Sequence, residues 1–271
     1  MKPLAVETIV SGQRLDPAAA KKRVDELDQL AQKIVHEHLL THPFMIDLAA
    51  GKLPMEKVQQ YFRYWYTFAL EVNTSCGMLY HRFVDFFKQH PDFEDIITEK
   101  LADEYGQPGR GGHIRTFEKT AESLGISKKE LVYQEISPAA RAFVDFHVRL
   151  TTEGTLAEFY AMSIGEGQWG DYSEVFSKAL LTHYLKNSTK ADEPYFSIHA
   201  EADREEHVGG MAHGDMAKNM MCRLYEIGEA KFRPGFSPEY AIFMTFDLGR
   251  RLLDDVYKGI TVEGELAKLS K

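Results

Sequence analysis

The sequence predicts an all-α fold, and three observations carry the prediction. Helix-start signals recur along the chain, apolar residues between them return at helical spacing, and no stretch alternates apolar with polar residues as a half-buried strand would. Asp16-Pro17 opens the first element, an N-cap followed by proline where its missing N–H costs nothing. The same pair of signals stands at Ser137-Pro138 and Ser237-Pro238, and Pro54 and Pro194 mark two further openings. Ser127-Lys128-Lys129-Glu130 has the form of a capping box. Leu27, Leu30, Ala31 and Ile34 form one apolar stripe, and Leu252, Leu253 and Val256 form another.

These signals place helices over residues 17–39, 55–89, 92–105, 113–125, 138–165, 172–186, 195–229 and 237–258. No Pro- or Ser-rich linker divides them, so a single domain over 1–271 is expected, with loosely ordered ends at 1–15 and 261–271. A chain of 271 residues that is 44% hydrophobic can enclose a large core. The formal charge of −9 and the absence of any Lys/Arg run disfavour nucleic acid as a partner. No stretch approaches the length of a membrane span, and Met1 to Val6 do not open a secretory signal. Cys76 and Cys222 are isolated thiols, the pattern of a reducing cytoplasm.

The most informative segment is Pro194 to His207. His199, Asp203 and His207 are spaced four apart, so a helix presents two imidazoles and a carboxylate on one stripe, a set able to hold a transition metal. Other polar groups interrupt apolar helical runs, where a carboxylate needs a partner or a metal. Glu71 lies within Phe68-Ala69-Leu70-Glu71-Val72, Glu166 precedes Trp169, and Glu104 and His113 flank a glycine-dense stretch. That stretch, Gly106 to Gly112, lacks the preceding strand and the Lys-Ser or Lys-Thr of a nucleotide loop; it reads as a surface loop or a flap beside a site. Helical bundles hold paired metal ions with Glu and His from facing helices, and carboxylate with imidazole favours iron or manganese over structural zinc.

Glu104, His113, Glu166 and His199-x-x-x-Asp203, in that order, resemble the haem-oxygenase-like diiron oxidases and oxygenases, a superfamily that includes pyrroloquinoline-quinone synthase and the thiaminase TenA. The resemblance spans roughly residues 25–258. It rests on Leu101 to Gly106 with Gly112 to Phe117, on Glu166 with Trp169, and on Tyr195 to Asp203. It implies a bundle of about seven to eight helices. It also implies two ferrous ions with dioxygen as cosubstrate, and a non-haem oxidoreductase of a biosynthetic pathway. Glu104 and His113 would bind one iron with His199 or a neighbour, Glu166 and Asp203 would serve the second or bridge the pair, and Glu71 would match an extra first-helix carboxylate. The resemblance implies a last ligand at the end of this segment, which would be His207, sharing the 199/203 face, or Glu206 in its place.

Arg63, two turns before Glu71, is placed to hold a carboxylate of a small polar substrate; the resemblance implies an amino-acid-derived molecule oxidised at nitrogen or across a C–C bond. An electron donor and a second copy of the chain stay open as partners. A metal-free oxidase of the quinone-synthase type and a helical scaffold are the competing readings. Tyr160 and Cys76 fall near the expected site, and His36, His38 and His42 read as surface or packing residues. The helix of Glu166 has no cysteine, which argues against TenA-type hydrolysis.

Overall fold

The computed structural model describes residues 10–106, 112–185, 188–202 and 212–269. Among them every regular element is helical. The proline-led openings form as expected. Asp16 caps α1 (Pro17–Ile34) through Ala19 N–H at 2.9 Å, and Ser137 caps α8 (Pro138–Thr152) at 3.2 Å. Ser237 caps α13 (Pro238–Lys258), and the Ser127 box opens α7 (Lys128–Tyr133) with both reciprocal bonds made.

The helices are more numerous than seven to eight because several long runs break. The 55–89 run divides at Phe83 into α3 (Met55–Arg82) and α4 (Val84–Gln89). The 138–165 run stops at Glu153, since Thr155 and Glu158 build a second capping box that opens α9 (Leu156–Ser163). Gly165 then leads into α10 (Glu166–Ala179), which starts earlier than the expected 172. The 195–229 run is seen as α11 (Pro194–Ala202) and α12 (His213–Ile227). The ends of the 17–39 and 172–186 runs are five-residue π-helical turns, Val35–Leu39 and Leu180–Tyr184. Two further helices were not expected: α2 (Pro43–Ala49), capped by the His42 ring, and α14 (Val262–Leu269), within a segment read as a loose end. α5 (Pro91–Tyr105) and α6 (His113–Ser123) lie close to the expected bounds.

α3 is the central rod. It packs against α8 and α6, while α10 lies along α11 and α13 crosses α8 and α9. Its buried side is aromatic. Tyr61 is wholly enclosed, with ring centroids 4.6 Å from Phe176, 5.4 Å from Trp65 and 5.5 Å from Phe44. Tyr172 donates to the Tyr61 hydroxyl at 3.0 Å, so the two buried phenols satisfy one another. Ion pairs then fasten the periphery: Glu158, fully buried, accepts from Arg233 N–H and Nε at 2.7 Å each and ties the segment before α13 to α9. No helix among the described residues is long and apolar enough to cross a membrane.

Candidate metal and substrate site

Between α3, α5, α9, α10, α11 and α12 lies a cavity of about 110 Å3. One wall is aromatic: Trp65 and Phe68 from α3, Trp169 and Tyr172 from α10. The opposite wall is polar, formed by Lys100 and Glu104 of α5, Glu166 of α10, His199 of α11 and His213 of α12.

The polar wall is assembled by local sequence rules. Phe93, Ile97, Lys100 and Glu104 recur at four, three and four residues and share the inward face of α5. Gly106, at φ +91°, ends that helix with a conformation that side chains resist. The chain returns at Gly112, whose backbone lies so close to the Glu104 carbonyl that a Cβ would collide with it. His113 therefore opens α6 directly beside Glu104, and its Nδ1–H donates to Glu104 Oε2 at 3.0 Å. On α11, Glu193 accepts from Phe196 N–H and Ser197 Oγ at 2.8 Å each, fixing the first turn. One turn further, His199 Nδ1–H donates to the Tyr195 carbonyl at 2.8 Å. The Nδ1 of each ring is thus engaged by an oxygen acceptor. The rings of His113 and His199 stand 4.4 Å apart and His213 6.1 Å from His113.

Electrostatics hold this wall in its charged form. Burial opposes ionisation of Glu104, but His113 and then Lys100 and His213 outweigh it and keep its pKa well below the ordinary carboxylate range. Burial likewise opposes the Lys100 ammonium, and Glu166 and Glu104 outweigh it, so the amine stays protonated beyond an ordinary lysine. Lys100 makes a direct ion pair with Glu166 Oε2. Burial, with Glu104 adding to it, pushes the Cys76 thiol up to about 12, so the sulfur facing the cavity is a thiol and not a nucleophilic thiolate.

The structure therefore brings Glu104, Glu166 and His199 to one cavity, with His113 bonded to Glu104 and packed against His199 behind the lining. It does not gather Glu71 or Arg63. Glu71 points to α8, where Arg141 grips it bidentately at 2.6 and 3.0 Å, a partner that satisfies the carboxylate without metal. Arg63 pairs with Glu130 of α7 at 3.0 Å and takes no part in the cavity wall. Asp203, Glu206 and His207 lie outside the described residues.

Three cavity residues were missed in the sequence: Lys100, His147 and His213. Each sits on an apolar helical stripe, Lys100 after Phe93 and Ile97, His147 between Phe143 and Leu150, and His213 before Met216 and Met220. His147 Nδ1–H donates to the Phe143 carbonyl at 2.7 Å, and burial lowers its pKa to about 4, so it faces the cavity as a neutral ring. Tyr160, placed near the expected site by the sequence, is buried, and its hydroxyl has no hydrogen-bond partner among the described residues.

A long central helix, an enclosed cavity and a carboxylate–imidazole wall define a haem-oxygenase-like helical bundle. A model of the TENA/THI-4/PQQC family matches residues 24–213, and the chain belongs to that family. It is similar to the 4-aminobenzoate synthases of Chlamydia muridarum and Chlamydia trachomatis, each 29% identical over 178 residues, or 65% of this chain and 72% and 74% of those proteins. Among solved structures, a TenA homologue from Pseudomonas syringae pv. tomato superposes with a TM-score of 0.65 at 17% identity, covering 93% of this chain and all of that one. A domain of unknown function with a haem-oxygenase-like fold from Shewanella denitrificans gives 0.60 at 14% identity, covering 90% and 93%.

Among the described residues, no three His, Cys, Asp or Glu groups already stand at metal-binding geometry. The residue types present are nonetheless of the kind that holds a metal: the Glu104 carboxylate is ionised, and the His113 and His199 imidazoles stand beside it. Glu166, the other carboxylate of the cavity, makes an ion pair with Lys100.

Proposed function

We propose that this chain is a metal-assisted oxidase or oxygenase of a biosynthetic pathway, using dioxygen on a small, amino-acid-derived substrate of single-ring size. The observation that carries the reading is that Glu104 and His199 line an otherwise aromatic cavity with His113 in contact with both. Similarity to the 4-aminobenzoate synthases supports a small aromatic acid or amine as the molecule handled. Size agrees: about 110 Å3 is on the scale of the ~150 Å3 protein cavity that takes up benzene.

Glu104, His113 and His199 would hold the ion, with His213 beside them. A ferrous ion, if bound there, would supply the redox chemistry toward dioxygen. The protein's own residues do the rest. Trp65, Phe68, Trp169 and Tyr172 exclude water and stack against a flat substrate. His147, whose Nδ1 proton is committed to Phe143, has only an acceptor nitrogen left for a substrate N–H or O–H. Oxidation at nitrogen or across a C–C bond is the expected outcome. Arg63 is engaged elsewhere, so it does not anchor a substrate carboxylate.

Oxygen uptake tests the reading. Apo protein loaded anaerobically with ferrous iron should consume dioxygen when aerated, faster with a fitting aromatic amine or amino acid. Glu104→Ala should not. Uptake that persists in metal-free protein under chelation would instead favour a cofactor-independent oxidase. The Lys100–Glu166 pair, a site already neutralised without metal, is the observation on that side.

A further inference from the structure

We propose that His147 sets the substrate class: its Nε2 accepts a hydrogen bond from a neutral O–H or N–H on the bound ring, so the cavity selects a phenol or arylamine over the same ring without that donor. The inference rests on the reading of this cavity as the substrate site and names the group that selects the substrate. It does not depend on the metal.

His147 belongs to the aromatic wall and is 3% exposed. Its ring stands edge-on to Phe68 at 5.1 Å and 4.5 Å from Phe143. One turn further along α8, Thr151 Oγ1 donates to Ser75 Oγ of α3 at 2.6 Å, which pins the two helices together and holds the ring in place. The Nδ1 of His147 lies 2.7 Å from the Phe143 carbonyl. A carbonyl can only accept, so Nδ1 carries the proton and Nε2 has a lone pair. Burial keeps the ring neutral. Among the described residues the bond to Phe143 is the ring's one hydrogen bond. An acceptor enclosed by phenyl groups is costly until a donor meets it, and a donor on the bound molecule removes that cost.

The cavity has a direction. Phe68 and Cys76 both line it from α3, eight residues apart, or about 12 Å of helix rise. His147 stands at the level of Phe68, whereas Glu104, Lys100 and Glu166 stand where their charges act on the Cys76 thiol. A ring anchored by its donor at His147 therefore lies against Trp65 and Phe68 with its other end toward Glu104 and His199. A ring of equal size without the donor would fill the same space and leave Nε2 desolvated and unmatched. A site built to bond a substrate hydroxyl rejects such an analogue more strongly than an apolar pocket rejects an added hydroxyl.

The test is binding, which needs no turnover. Trp65 and Trp169 are the two tryptophans of the chain and both line the cavity, so their fluorescence reports its occupancy. The full chain is titrated with phenol and with toluene, which replaces the hydroxyl by a methyl group of similar size. Excitation is at the red edge of the indole band, beyond the absorption of phenol. The preference for phenol over toluene, read as the ratio of their Kd values, should be about tenfold greater in wild type than in His147→Leu. His147→Gln, which returns an acceptor near the position of Nε2, should regain most of it. Toluene should bind His147→Leu at least as tightly as wild type. The wild-type preference should also persist after chelation. An equal ratio in wild type and His147→Leu would overturn the proposal and leave the metal reading standing. A preference that disappears on chelation would place the hydroxyl on a metal and also overturn it. Failure of the oxygen-uptake test with the phenol preference intact would overturn the metal reading alone.

Discussion

His147 illustrates what a single buried ring contributes. Its pKa is lowered to about 4 by burial among Phe68, Phe143 and Phe146, against about 6.5 in the unfolded chain. Between those two values the unfolded chain binds a proton that the folded chain refuses. Stability therefore falls as pH drops from 6.5 toward 4, by roughly 3 kcal/mol if this ring acted alone. Urea unfolding at pH 7 and pH 5 should show a larger loss for wild type than for His147→Leu; equal losses would show the ring protonates in place. Glu71 makes the opposite point. Its side chain and that of Arg141 are each about two-fifths exposed, so the pair is a surface bridge. Glu71→Ala should cost less than about 1 kcal/mol and leave metal retention at the wild-type level. A loss of bound metal in that variant would restore Glu71 to the site.

Elements follow from short signals when those signals are caps. Ser127, Thr155 and Ser237 each place a helix start by a bond that the sequence names in advance or, for Thr155, offers unread between two apolar segments. What hides this break is the apolar pattern on either side of it: Phe143 to Leu150 and Leu156 to Met162 read as one helical stripe interrupted only by the five residues Thr151-Thr152-Glu153-Gly154-Thr155, where the chain turns and a new cap forms. The α5–α6 junction shows why element geometry matters to the site. Gly112→Ala would drive a Cβ into the Glu104 carbonyl and push His113 off its partner. The expected result is a loss of about 1–3 kcal/mol together with weakened metal retention; retention at the wild-type level would mean His113 is dispensable. On α11, Glu193→Ala removes the acceptor for Phe196 N–H and Ser197 Oγ in a fully buried place. It should lower stability by about 1–3 kcal/mol, read by thermal unfolding, and loosen His199 with it.

At the scale of the whole molecule, the all-helical class was legible because caps and apolar stripes are local. The convergence of Glu104, His113, Glu166 and His199 was legible through resemblance, since no local rule brings α5, α6, α10 and α11 together. Arg63 and Glu71 looked alike in the sequence, polar groups on an aromatic helix, and only packing against α7 and α8 shows that each faces a structural partner. Lys100 and His213 went unread because a charged or imidazole side chain on an apolar stripe is ordinarily a snorkelling or capping residue. Their inward direction is set by neighbouring helices. The most direct measurement is an anaerobic ferrous titration of the apo protein, followed by desalting and iron analysis, for wild type and His199→Ala. The account predicts near-stoichiometric retention in the wild type and loss in His199→Ala with the fold preserved by circular dichroism. Wild-type protein that retains no iron, or His199→Ala that retains it fully, would contradict the metal site.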